Sequence, residues 1–131
     1  MKSMNMMICT LFAVLLFSCE KKTYKGEYII INDCNVAIDA YTVGRNAPSI
    51  GKEFEIHDHI PAKSRLSLRK IEITDKAMVK DIFVSIRIYQ NGQNAIKNPM
   101  NQELWSKEFT NNRLTYTLVV DSNFFNENPA D

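Results

Sequence analysis

From residue 26 onward, the apolar residues of this chain recur at every second position. Ile82, Val84, Ile86 and Ile88 give the cleanest case. They alternate with Phe83, Ser85, Arg87 and Tyr89, and Asn91-Gly92 ends the run. Period two belongs to a strand with one dry face, and Asn-Gly between such runs is the strongest short hairpin signal. Only residues 74–80 could form a helical turn, and they leave no room for more. The chain is thereby confined to an all-β fold.

The other strands follow by the same reading. Residues 27–32 (EYIIIN) form a β-branched run that suits a strand buried on both faces. Asn32 to Asn35 make a turn, because Asn and Asp bond their own backbone. Val36, Ile38 and Ala40 alternate with Ala37, Asp39 and Tyr41. Phe54, Ile56 and Ile60 alternate with Glu55, His57 and His59, which gives the core to the first set and solvent to the second. Leu66, Leu68, Ile71 and Ile73 carry a phase slip near Lys70 that fits a β-bulge. Residues 104–109 and 114–120 are the last strands, joined through Asn111-Asn112. Phe124 and Phe125 are expected to pin the start of a polar tail, with residues 126–131 frayed. About seven strands with turns every ~8–12 residues predict an antiparallel β-sandwich, Ig-like in the loose sense, with a small closed barrel as the alternative. The Cys…Trp…Cys spacing of true immunoglobulin domains is missing, since Trp105 comes late and has no cysteine pair to pack on.

Residues 1–18 stand apart from this pattern. Lys2 is the only charge before Glu20, and residues 6–17 are an apolar run of twelve. A membrane-crossing helix needs ~20 such residues, whereas a short positive start followed by a short apolar run describes an export signal. Leu16-Phe17-Ser18-Cys19 resembles the lipobox of bacterial lipoproteins. That resemblance implies cleavage before Cys19, a diacylglycerol thioether on its sulfur and acylation of the new N-terminus. Several acyl chains make a durable anchor where one does not. Residues 19–25 then read as a lipidated cysteine and tether, and residues 26–125 as the domain. Glu20 offers no inner-membrane retention cue, which favours the outer membrane, facing either the periplasm or the surface.

Removing the signal changes the inventory. The whole chain carries 16 Lys plus Arg against 15 Asp plus Glu, and the excess base is Lys2. The remaining domain is charge-neutral, which argues against a nucleic-acid partner. Of three cysteines, Cys9 leaves with the signal and Cys19 takes lipid, so Cys34 has no partner for a disulfide. The fold must be held by its core.

The layout as a whole resembles the small β-sandwich lipoproteins of Bacteroidetes-type envelopes. The matching features are the lipobox at Cys19, the opening strand ending in Asn32, the Ile60-Pro61-Ala62 turn, Asn98-Pro99 before Trp105, and the closing strand bearing Tyr116. The resemblance implies an envelope location and a sandwich fold. It carries no catalytic signature.

Candidate chemistry is sparse. His57 and His59 lie two apart, share one strand face and could offer two nitrogen ligands to zinc or copper, with a third ligand such as Glu55 left open. Against that stands a plain solvent-facing strand. Cys34 lacks a nearby base and reads as a small buried hydrophobe. Four glycines, none spaced for a phosphate loop, exclude nucleotide cradles, and no cofactor is implied. The basic run at residues 63–70 is an ordinary strand face or a patch for anionic headgroups. Tyr41, Phe83, Tyr89 and Tyr116 could sit outward as a binding platform, or could be cross-strand packing.

These readings describe a non-enzymatic, lipid-anchored envelope protein whose sandwich binds a protein or glycan or serves as an accessory subunit. An exposed apolar patch of a few hundred Å² is the expected mark of such a surface. The alternatives are a metal protein or metal-dependent enzyme built on His57 and His59, and an inhibitor of an exogenous hydrolase acting through the loop at residues 44–51.

Overall fold

The structure is a computed structural model that describes residues 22–46 and 55–126. Two four-stranded sheets make an all-β sandwich. In chain order the strands are β1 (Tyr24–Asn32), β2 (Ile38–Gly44), β3 (Glu55–Ile60), β4 (Arg65–Ile73), β5 (Phe83–Gln90), β6 (Gln93–Asn94), β7 (Trp105–Thr110) and β8 (Arg113–Val120). One helical turn, α1 (Val79–Ile82), precedes β5. The first sheet runs β4-β1-β8-β7 and the second β3-β2-β5-β6. Residues 1–21, which hold the expected signal segment and Cys19, residues 47–54, and residues 127–131, which belong to the expected frayed tail, lie outside the described residues.

All pairs are antiparallel except β1 with β8, which run parallel with Tyr28 beside Tyr116. A parallel pair needs a long connection, and the rest of the domain supplies it between the first strand and the last. The constant-type immunoglobulin order puts its first and last strands in different sheets, so the likeness here ends at the sandwich architecture.

The hydrophobic face of each sheet meets the other in one core. Tyr28, Ile30, Trp105, Leu114, Tyr116 and Leu118 enter from the first sheet, with Ile38, Ala40, Ile60, Phe83, Ile86 and Ile88 from the second. Tyr28 sits at its centre. Its ring stacks on Tyr116 at 4.9 Å and meets the Phe83 and Trp105 rings edge-on at 5.5 and 5.9 Å. Stacked and edge-on geometries satisfy the ring quadrupoles and add to the burial energy. Burial, followed by the neighbouring Tyr116, pushes the Tyr28 hydroxyl far above its ordinary pKa. The indole of Trp105 donates to the Pro99 carbonyl at 2.8 Å, which gives the Asn98-Pro99 stretch its structural role.

A single buried amide ties one end of the sandwich together. Asn32 is fully buried at the end of β1. Its Nδ2 donates to the carbonyls of Val36, Ile60 and Pro61 at 2.9, 3.1 and 3.0 Å, and its Oδ1 accepts from the Cys34 amide at 2.9 Å. The side chain thus joins β1, the turn into β2 and the end of β3. Cys34 is buried beside it, its Sγ 3.6 Å from the Val120 carbonyl, and burial followed by the Asp121 carboxylate raises its pKa. A thiol held protonated in this way is packing material, as the sequence suggested.

Several details differ from the sequence-based expectation. β1 starts at Tyr24, so Tyr24 and Lys25 belong to the sheet and not to the tether. The bulge in β4 falls at Leu68, since Tyr28 pairs with Arg69 and Ile29 with Ser67. Arg69 therefore turns inward and donates to the Ile82 carbonyl at 2.6 Å. Ile82 closes α1 and does not open the strand, and a register shift on β5 sends Phe83 to the core. Ile56 shares the inward side of β3 but is 52% exposed, on a strand at the edge of its sheet. Phe54 lies outside the described residues. Phe124 and Phe125 are both buried and pin the tail as expected. No helix among the described residues is long and apolar enough to cross a membrane.

Candidate functional site

The outward face of the second sheet holds a connected cluster of polar and aromatic side chains. Period two puts Asp39 and Tyr41 of β2, Glu55, His57 and His59 of β3, and Arg87 and Tyr89 of β5 on one side. The register then aligns them. Asp39 faces His59 and Tyr89, and Tyr41 faces His57 and Arg87.

Asp39 Oδ1 accepts from His57 Nε2 at 2.9 Å and from His59 Nδ1 at 3.0 Å. An ionised carboxylate only accepts, so these contacts place protons on His57 Nε2 and His59 Nδ1. His57 Nδ1 and His59 Nε2 are left as the ring nitrogens not committed to Asp39. The hydrogen bonds from His57 and then His59 hold the Asp39 carboxyl below its usual range.

The rings of His57 and Tyr41 stack at 4.4 Å, 4° from parallel. On the other side of Tyr41 lies Arg87, its guanidinium carbon 5.3 Å from the ring centre. Arg87 also donates to Glu55 at 2.6 Å and to the Tyr89 hydroxyl at 3.0 Å. Tyr89 meets Tyr41 edge-on at 5.6 Å. The result is a cross-strand ladder, His57–Tyr41–Arg87–Tyr89, with Asp39 bonded to His57 and Glu55 paired with Arg87. Each member is oriented by the next, so little side-chain freedom remains to be lost on contact with a partner.

Sequence reasoning placed His57 and His59 on one face, and the structure keeps them there. It also separates the four named aromatics: Tyr41 and Tyr89 are outward, whereas Phe83 and Tyr116 are buried. Asp39, Glu55 and Arg87 were legible as outward positions, but the contacts among them depend on strand register, which one sequence does not specify. Asp39, and not Glu55, is the acid that meets the histidines. No group of three or more His, Cys, Asp or Glu among the described residues stands in a metal-holding arrangement.

Other expectations resolve differently. The basic run at residues 63–70 does not form one patch: Lys63 bonds Asp33, Arg69 points inward and Lys70 pairs with Glu27. Among the described residues, the exposed large apolar side chains are Ile56 on β3, Phe109 on β7, Val119 on β8, and Val36, Met78 and Ile96 between elements. Of the loop at residues 44–51, residues 47–51 lie outside the described residues. No protein-family model, curated protein or solved structure matches this chain.

Proposed function

We propose that this protein is a lipid-anchored, non-catalytic component of a bacterial envelope whose sandwich binds another envelope protein through the outward face of β3, β2 and β5. The carrying observation is the preordered ladder of Tyr41, His57, Arg87 and Tyr89. Tyr and Arg dominate the residues that supply binding energy at protein interfaces, and rigid presentation lowers the cost of using them. A protein partner suits this face better than a glycan. Sugar stacking needs a free aromatic face, and both sides of Tyr41 are flanked, by His57 and by Arg87. The side chains this face presents are polar and aromatic, so the proposed contact is of that kind. The anchor rests on the lipobox at Cys19, and an outer-membrane address follows from the same motif and Glu20.

The test is affinity capture from solubilised envelopes with the native chain and with a Tyr41→Ser/Arg87→Ala variant. A partner recovered with the native chain and lost with the variant supports the reading. A partner set unaffected by the double exchange refutes this face as the contact.

A further inference from the structure

We propose that the end of the sandwich where β1 begins is a bilayer-docking surface, with Lys22, Lys25 and Arg113 meeting anionic phospholipid headgroups and the Tyr24–Phe109 pair lying at the interface. This inference builds on the reading of Cys19 as lipidated. Four residues, and so five Cα-to-Cα steps, separate Cys19 from Tyr24, and an extended chain spans at most ~3.6 Å per step. The start of β1 is therefore held within about 18 Å of the Cys19 Cα. The β7–β8 turn at Asn111-Asn112 and the end of β4 share this pole by register, since Lys25 pairs with both Arg113 and Glu72.

The chemistry of the pole fits a headgroup layer. Lys25 and Arg113 are direct neighbours across the parallel β1–β8 pair. Like charges so placed repel; Glu72, on β4 across from Lys25, offsets one of the two, and a bound anion relieves the remaining positive charge. Neither residue, nor Lys22, forms an ion pair with any described residue. The three line a concavity of about 490 Å³ together with Glu72, Asn111 and Asn112. Glu72 is its only carboxylate.

Beside the concavity, the Tyr24 and Phe109 rings meet edge-on at 5.1 Å, and Phe109 is 54% exposed on the edge strand β7. Lys22 Nζ lies 5.4 Å from the Tyr24 ring centre. Aromatic rings flanked by lysine are the side chains that settle at the boundary of water and hydrocarbon. The tether makes the contact intramolecular, so weak attraction is enough to set orientation. Docking by this pole leaves the His57–Tyr41–Arg87 face upright along the side of the domain and open to a neighbour.

The test uses the full chain carrying Cys19→Ser, sedimented with vesicles of phosphatidylcholine alone and with added phosphatidylglycerol. The signal segment contributes equally to every variant, so the variant comparison isolates the pole. Lys25→Gln/Arg113→Gln should weaken binding to the anionic vesicles about thirtyfold, at ~1 kcal/mol per basic residue, and leave neutral-vesicle binding unchanged. Glu72→Gln should strengthen anionic binding several-fold, a gain that a misfolded chain does not produce. An anionic preference that survives the double exchange, or a Glu72→Gln chain that gains nothing, overturns the proposal. The lipid reading is tested separately by the mass of the N-terminal peptide of the native protein. An unmodified Cys19 with intact anionic preference refutes the anchor alone, and an acylated Cys19 without that preference refutes the docking surface alone.

Discussion

His57 lies flat against Tyr41, the two ring centres 4.4 Å apart on neighbouring strands. Their positions face each other directly in the β2–β3 register, so the stack is fixed by the sheet itself. Aromatic pairs of this kind contribute ~0.5–1.5 kcal/mol beyond area burial. A double-mutant cycle on His57→Ala and Tyr41→Ala, followed by urea unfolding, should return a coupling energy in that range. Strictly additive losses would mean that the ladder is not preformed.

Asp39 predicts a specific pH dependence. Hydrogen bonds from His57 first, then His59, keep its carboxyl below the usual range. A folded-state pKa below the unfolded one stabilises the protein above the unfolded value, near about 3.9, and that stabilisation is lost as pH falls through the folded value. The stability difference between the native chain and Asp39→Asn should therefore be present at neutral pH and shrink below about pH 4. Unfolding curves across that range check it. A difference that grows toward low pH would contradict the assignment.

Asn32 should be among the most sensitive positions in the domain. Its amide serves three carbonyls, and its oxygen serves the Cys34 amide, all at the closed end of the sandwich. Asn32→Ala leaves several of these groups without a partner, at ~1–3 kcal/mol for each group that stays buried. A loss of about 3 kcal/mol or more is expected from denaturant titration. Asn32→Asp should fare no better, because a carboxylate cannot donate to the three carbonyls.

Gly26 is required by close approach and not by turn geometry. A Cβ at this site would meet Ile73 Cδ1 at 2.5 Å and the Ile71 carbonyl oxygen at 2.9 Å. Ile73 is buried and its Cγ1 would also lie at 2.6 Å, and the backbone oxygen cannot move without disturbing the β1–β4 ladder. Gly26→Ala should cost about 1–3 kcal/mol as overpacking. Thermal unfolding of that variant within a degree of the native chain would show that the strands can separate freely there.

Much of the fold was legible because each strand carries its own parity. The outward set of β3, the Asn91-Gly92 and Asn111-Asn112 turns, and the pinning role of Phe124 and Phe125 all follow from local chemistry. Both Asn residues of the second turn and both residues of the first take positive φ, as two-residue hairpins require. What stayed hidden was non-local. The parallel β1–β8 pair joins residues almost a full domain apart, and nothing near either strand encodes that partnership. The bulge at Leu68 reversed the side of Arg69, and the shift on β5 buried Phe83, because one inserted residue flips every later side chain. The candidate site was half legible for the same reason. His57, Tyr41 and Arg87 could each be placed outward, but their adjacency exists only once β3, β2 and β5 are in register.

The proposal that β3, β2 and β5 present the partner-binding face is tested most directly by photo-crosslinking in intact cells. A photoreactive residue is placed at Ser85, on the same side of β5 but outside the ladder, and in a second chain at Thr117 on the outward side of the other sheet. The predicted result is a discrete protein adduct from position 85 that disappears when Arg87→Ala is added, with none from position 117. No adduct from position 85, or equal adducts from both sheets, would contradict it.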